Sequence, residues 1–93
     1  MTKQREFSEA EARTIGEAIG IDLNIVDLSE FRMGLTVELE HGSHDPDTNV
    51  INDDETLAGK IAWAHLKEIP DYYTRLKKME LEGEAFWASQ GRK

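Results

Sequence analysis

The segment DLSEFRMGLTVELEHG, residues 27–42, decides the fold. Asp27 followed three residues later by Glu30 is a capping-box pattern, which marks the start of a helix. The apolar residues after it recur at helical spacing and share one narrow arc: Leu28, Phe31, Leu35 and Leu39. Gly42 is a typical helix stop. The segment therefore predicts a helix over residues 28–41.

Two further helices are predicted on either side of Pro70. Asp54 can cap a helix, and acidic residues suit the positive end of its dipole, which predicts a third helix over about residues 54–68. The residues expected on its inner face are Leu57, Ala58, Ile61, Ala64, His65 and Glu68. Pro70 ends that pattern, and Asp71 can open a fourth helix over about residues 71–88. Along this helix, apolar positions repeat at helical spacing: Tyr72, Leu76, Met79, Gly83 and Phe86 or Trp87.

The chain before this central region begins with another capping box. Ser8 and Glu11 start a first helix over about residues 9–19, and Gly20 ends it. The next residues, IDLNIV at 21–26, predict a short extended linker. Three of its side chains are expected to contact the core: Ile21, Leu23 and Ile25.

One long connection joins the second and third helices. The sequence GSHDPDTNVINDD is rich in residues whose side chains hydrogen-bond their own backbone in turns. We therefore expect an ordered surface loop over about residues 42–53.

These patterns together predict an all-α fold, a compact arrangement of four helices. Negligible strand content is expected, because none of the strongly periodic segments has the alternation of a strand. Residues 1–93 are expected to form a single helical domain, with flexible ends at 1–6 and 89–93. The predicted core comprises Phe31, Leu35, Leu39, Ile61, Leu76 and Met79.

Composition and charge argue against several classes of protein. The chain has 93 residues, a formal net charge of -8 and no cysteine. The missing cysteines exclude disulfide scaffolds and thiolate zinc sites and favour the cytoplasm as location. The negative charge makes nucleic acid an unfavourable partner. No apolar run has the length of a signal peptide or a transmembrane helix, so no membrane association is expected.

Three stretches resemble a known family. They are ELEHG at 38–42, NVINDD at 49–54 and GKIAWAHLKEIPDYYTRLKKME at 59–80. This combination is similar to a family of small bacterial and phage-associated proteins, catalogued only as a domain of unknown function. The resemblance extends over about residues 7–80. It implies a helical domain and no particular activity.

Two pairs of residues carry the candidate chemistry. Glu38 with His41, and His65 with Glu68, each place a carboxylate and an imidazole about one helical turn apart. Metal sites in helix bundles use this spacing, so the alternative function is a carboxylate-histidine metal protein with these four ligands. A complete site needs further glutamates, and Glu38 and His41 lie at the margin of their apolar arc. No metal or other cofactor is therefore expected.

A hydrogen-bonded polar cluster is the preferred interpretation, because buried histidines and carboxylates need polar partners. It is expected to lock the long loop and the turn before the fourth helix. Its candidate members are Glu38, Glu40, His41, His65, Glu68, Asp71, Tyr72 and Tyr73. Acid–base catalysis by such groups is conceivable, but no pocket is indicated and no catalytic residue is assigned.

The outer face of the third helix offers a candidate partner surface. Trp63 lies there between Lys60 and Lys67, an arrangement found at binding hot spots, although the first helix or residues 21–26 can also cover it. The predicted function is a small non-enzymatic interaction or accessory module with an unknown protein partner.

Overall fold

A computed structural model describes residues 5–91 as four α-helices. They are α1 (Glu9–Ile19), α2 (Leu28–Glu38), α3 (Glu55–Glu68) and α4 (Tyr72–Ser89), and a 3-10 turn at Leu39–His41 continues α2. No strand occurs in this part of the chain. The predicted all-α, four-helix fold is confirmed. The predicted flexible ends include residues 1–4 and 92–93, which lie outside the described residues.

Local capping explains where three of the helices begin. The side chain of Ser8 accepts from the backbone of Glu11, and Glu11 accepts from Ser8 in return, which forms a complete capping box. Asp27 caps α2, and Asp54 caps α3 by accepting from two backbone N–H groups. Gly20 ends α1 with a left-handed backbone (φ 96°). These four positions match the predicted boundaries.

Helix α2 lies at the centre of the packing, because α1, α3 and α4 all contact it. Gly34 permits the closest approach: a Cβ there would lie 2.8 Å from the Cβ of Ala62 on α3 and 2.6 Å from Cε2 of Tyr73 on α4. Such distances are shorter than van der Waals contact, so this crossing of helices requires glycine.

The core differs in part from the predicted one. Phe31 and Leu35 are fully buried, as predicted. The core also contains Phe7, Ala12, Ile21, Ile51, Ala58, Ala62, Leu66 and Tyr73. Leu39, Ile61 and Leu76 are half-buried at its edge. The burial predicted for Met79 is wrong, since its side chain is 57% exposed on a part of α4 that extends past the core.

The buried face of α3 is also rotated from the predicted one. Ala58, Gly59, Ala62 and Leu66 are its buried residues. Leu57, Ala64 and Glu68, expected on the inner face, are exposed. The reason is the close approach of α1: a Cβ on Gly59 would lie 3.2 Å from the side chain of Ile15. Small side chains fit that contact better than large apolar ones.

The connection at 21–26 is a turn and not the extended linker expected from the sequence. The N–H groups of Ile25 and Val26 both donate to the carbonyl of Asp22. The turn directs Val26 to the edge of the core and leaves Ile25 80% exposed, so the predicted core contact of Ile25 is wrong. Ile21 is buried and Leu23 partly buried, as predicted.

Side-chain hydrogen bonds order the long loop, as expected. The carboxylate of Asp53 accepts from the backbone N–H of Ser43 at 2.8 Å and from its hydroxyl. These bonds hold the pKa of Asp53 below its usual value. Asn49 accepts from the N–H of Asn52 at 2.9 Å. Gly42 leaves room for this arrangement, because a Cβ there would overlap Oδ1 of Asp53.

Candidate functional site

Tyr73 joins α4 to one face of α2. Its backbone N–H donates to Oε1 of Glu30 at 2.9 Å, and its hydroxyl donates to Oε2 of Glu38 at 2.6 Å. Between these two bonds the Tyr73 ring lies against Gly34. Glu30, Gly34 and Glu38 share one face of α2 because they are spaced four residues apart. The contact between the two helices therefore buries two carboxylates and one tyrosine.

Glu30 caps α4 from a different helix. Besides Tyr73, its carboxylate accepts from the backbone N–H of Thr74 at 3.3 Å and from the Thr74 hydroxyl. Asp71, the residue directly before α4, makes no side-chain cap bond. The first N–H groups of a helix have no partner within it, and the positive end of the dipole attracts a carboxylate. Glu30 satisfies both requirements of α4.

The capping box predicted at the start of α2 is consequently only half formed. Asp27 accepts from the backbone N–H of Glu30 at 3.1 Å. The Glu30 side chain does not return to Asp27, since it binds the first turn of α4. The first turn of α4 offers that carboxylate three donors, whereas the local box offers one.

Glu38 is the centre of a polar cluster. Its side chain is 4% exposed. His41 Nε2 lies 3.7 Å from its Oε1, and His65 Nε2 lies 3.8 Å from its Oε2. The His65 ring stacks on Tyr72 with centroids 4.2 Å apart, and Tyr72 meets Tyr73 edge-on. Side chains from α2, α3 and α4 thus meet around one carboxylate.

The pKa values of Tyr73 and Glu40 are both raised in this region. Burial, together with the hydrogen bond to Glu38, raises the pKa of Tyr73, so the hydroxyl remains a proton donor to the carboxylate. Partial burial raises the pKa of Glu40 above its ordinary value, and the nearby carboxylate of Glu80 adds to the effect. Negative charge accumulates where the end of α2 meets α4.

The structure brings together only part of the predicted set. The five residues that meet are Glu38, His41, His65, Tyr72 and Tyr73. Glu40 is half-buried beside them, and Glu68 is exposed at the end of α3. Asp71 instead pairs with Arg75 at 2.8 Å, which lowers the pKa of the Asp71 carboxyl.

Sequence reasoning missed the role of Glu30 and Thr74 in this contact. A signal for Glu30 was present. An acidic residue, a glycine and a second acidic residue recur at positions 30, 34 and 38, which is the spacing of one helix face. The apolar arc drew attention to another side of α2. Nothing in the local sequence indicates that Thr74 binds Glu30.

The metal alternative gains no support from the geometry. Across residues 5–91, no three His, Cys, Asp or Glu side chains are grouped so that they can hold a metal ion. The proposed fourth ligand, Glu68, lies apart from the cluster on an exposed position. A shallow cavity of about 300 Å³ lies elsewhere, lined by Arg5, Ala10, Glu11, Thr14, Ile15 and Glu55. It shares no residue with the cluster.

The C-terminal half of α4 is exposed, unlike its first turn. Tyr73 is the buried residue of this helix, and from Lys77 to Ser89 every residue except Gly83 is exposed. Several of these side chains are large and apolar: Met79 (57% exposed), Leu81 (58%), Phe86 (55%) and Trp87 (49%). At 100° per residue, Met79, Gly83, Phe86 and Trp87 share one side, and Leu81 lies on the other. We call the side that carries Met79, Gly83, Phe86 and Trp87 the exposed face of α4.

Trp63, the candidate partner residue of α3, is half-buried at the edge of the core. The ammonium group of Lys67 lies 4.3 Å from the centre of its ring. In the part of the chain that the structure describes, no helix has both the length and the apolar character needed to cross a membrane.

Comparison with known proteins identifies one family. A family model described as "Protein of unknown function (DUF5661)" matches residues 12–82. No curated protein and no solved structure matches the chain. The predicted resemblance to a family of unknown function is confirmed by this match, which does not include a bacterial or phage origin.

Proposed function

This chain belongs to DUF5661, a family of unknown function, and we propose that it is a small non-enzymatic interaction module that presents α4 to a protein partner. The observation that carries the proposal is the exposed face of α4. Met79, Phe86 and Trp87 each have about half or more of their surface exposed, within three helical turns. Exposed apolar patches of this kind mark interaction sites.

The anchoring of α4 supports the proposal. Glu30 and Glu38 hold the first turn through Tyr73 and Thr74, so the direction of the helix is set by buried hydrogen bonds. A surface that is held rigidly in the free protein loses less conformational entropy when a partner binds. The C-terminal half of α4 is therefore suited to present side chains in a preformed arrangement.

We assign the polar cluster a structural role in the same proposal. It comprises Glu38, His41, His65, Tyr72 and Tyr73, and it connects the end of α2 to the turn between α3 and α4. Locking that turn maintains the angle at which α4 leaves the core. Trp63 is kept as a second proposed contact, since its ring is only partly buried.

The remaining parts of the proposal rest on the sequence. A net charge of -8 favours a protein partner over nucleic acid. The cysteine-free composition suits the cytoplasm, which we propose as the location. We treat residues 1–93 as a single domain.

Site-specific photo-crosslinking in the cells that produce the protein tests this function. A benzophenone amino acid is placed at Met79 or at Phe86 on the exposed face of α4, and at Leu81 on the opposite side as the matched control. We expect the same protein adduct from positions 79 and 86 and none from position 81. The proposal is wrong if neither face position yields an adduct, or if position 81 yields the same one.

A further inference from the structure

We propose that the partner of the exposed face of α4 is a basic amphipathic helix, one whose apolar stripe is bordered by lysine or arginine. This inference rests on the proposed function, because it names the chemistry of the partner that binds the same surface. Two features of the exposed face of α4 support it: the acidic residues along its border and the gap at Gly83.

The border of the exposed face of α4 is acidic. At 100° per residue, Glu80 and Glu84 lie along one edge and Glu82 along the other, and all three are exposed. Glu40, at the end of α2, adds a fourth carboxylate near Glu80. Three basic residues of α4 lie nearby: Arg75 is paired with Asp71, Lys77 lies farther round the helix than Glu80, and Lys78 lies one turn before Glu82. Glu80 and Glu84 therefore form the more acidic edge of the face. Positive charge on a partner would complement this border.

The shape of the face suits a helix. Gly83 lies between Met79 and Phe86 on the same side, and a Cβ at Gly83 would meet no atom within 4 Å. The position forms a gap into which one large side chain of a partner can insert, as a knob enters a hole between helices. Addition of a partner strand requires the edge of a sheet, and residues 5–91 contain no strand.

A second copy of this chain fits the face less well. If two copies of α4 paired through their exposed ends, Glu80, Glu82 and Glu84 of one would face the same glutamates of the other. Each chain also carries a net charge of -8, which adds repulsion between copies. Charge therefore favours a basic partner over self-association.

Titration of the full chain with two synthetic peptides tests the inference. One peptide is an amphipathic helix of leucine and lysine, and the other has glutamate at every lysine position. In a Trp63→Phe background, Trp87 fluorescence reports binding at the face. We expect saturable binding of the basic peptide that weakens as salt is added, and binding of the acidic peptide at least about tenfold weaker.

Two triple variants separate the face from general charge attraction. Glu80→Lys with Glu82→Lys and Glu84→Lys should reverse the preference toward the acidic peptide. Glu17→Lys with Asp47→Lys and Glu68→Lys changes the net charge equally at exposed positions elsewhere, and should leave the basic peptide preferred. If both triples reverse the preference equally, the attraction is not local and the inference is wrong.

Three other outcomes would contradict a basic helical partner. Equal binding of both peptides would overturn the basic partner and leave the docking surface in place. Dimers at micromolar concentration in sedimentation experiments, lost on Phe86→Ala, would make a second copy the occupant and overturn the inference. If neither peptide binds while positions 79 and 86 still crosslink to a partner, the inference fails and the proposed function stands.

Discussion

The carboxylate of Glu30 accepts a hydrogen bond from the backbone N–H of Tyr73 at 2.9 Å, although 43 positions separate the two residues. Glu30 thus caps a helix that begins far along the chain. Its removal should weaken α4 at its first turn.

Replacing Glu30 with alanine should lower the free energy of unfolding by about 1 to 3 kcal/mol, because two backbone N–H groups of α4 lose their acceptor. Chemical denaturation measures this change. Ser8→Ala removes a local cap of α1 and should have an effect of about 1 kcal/mol. Hydrogen exchange at the amides of Tyr73 and Thr74 should accelerate in Glu30→Ala only. Unchanged exchange at both amides would contradict the assigned cap.

Tyr73→Phe should destabilise the protein by about 1.5 to 3 kcal/mol, since it removes the hydrogen bond to the buried carboxylate of Glu38. Tyr72→Phe is the matched control. Its hydroxyl makes no hydrogen bond within residues 5–91, so the loss should stay within about 0.5 kcal/mol. Equal effects of the two substitutions, measured by thermal or urea unfolding, would refute the assigned role of the hydroxyl.

His65→Ala should lower stability by about 1 to 3 kcal/mol, because the ring stacks on Tyr72 and lies 3.8 Å from Glu38. Lys60→Ala, at an exposed position of the same helix, should change stability by less than about 0.5 kcal/mol. The melting temperature of the natural protein should not respond to zinc, manganese or a chelator. A melting temperature that falls with chelator would instead indicate a metal site.

Two glycine-to-alanine substitutions should have opposite signs. Alanine usually stabilises a helix by about 0.5 to 1 kcal/mol relative to glycine. Gly83→Ala should show that gain, since its Cβ would meet open space. Gly34→Ala should destabilise by about 1 to 3 kcal/mol, because its Cβ would overlap Tyr73 and Ala62. Stability of both variants by urea denaturation tests the assignment, and a gain at Gly34 would show that the helices do not approach this closely.

Glu40→Gln should raise stability near pH 7. The pKa of Glu40 is raised in the folded protein from 4.5, first by burial and then by Glu80, so ionisation is less favourable there than in the unfolded chain. Stability is therefore lost as the pH rises above 4.5, and the loss is complete above the folded pKa. The advantage of the variant should vanish below about pH 4. Unfolding measured across a pH series tests this, and an advantage of the variant that persists at about pH 3 would contradict the role of the Glu40 charge.

The helices themselves were predictable to within one residue, except that α2 ends at Glu38 and the last three residues of its predicted range form the 3-10 turn. Capping boxes and cap residues at Ser8, Asp27 and Asp54 act on N–H groups two or three positions away, so they can be recognised from neighbouring residues. The same holds for Gly20, which ends α1. The position of α4 was predicted from Pro70 and its apolar repeat, although its actual cap was not.

The candidate site was predictable only in part. The spacing of Glu38 and His41, and the run of two tyrosines after Pro70, drew attention to residues that do meet. Glu68 has the same spacing from His65 and lies outside the cluster, because the end of α3 is exposed. Spacing along one helix shows which side chains share a face, and it does not show whether that face is covered.

The amino-acid sequence by itself determined the four helices, the caps of the first three and the acidic character of the chain, because these depend on groups within a few positions of one another or on composition alone. The tertiary structure decided which faces are buried. Gly34 lets α2, α3 and α4 approach closely, and this approach brings Glu30 and Glu38 to Tyr73. Met79 and Phe86 have the periodicity of a buried face, yet they are exposed because α4 extends past the helices that would cover them. Burial requires a neighbouring surface, and the periodicity of one helix does not specify where that neighbour ends.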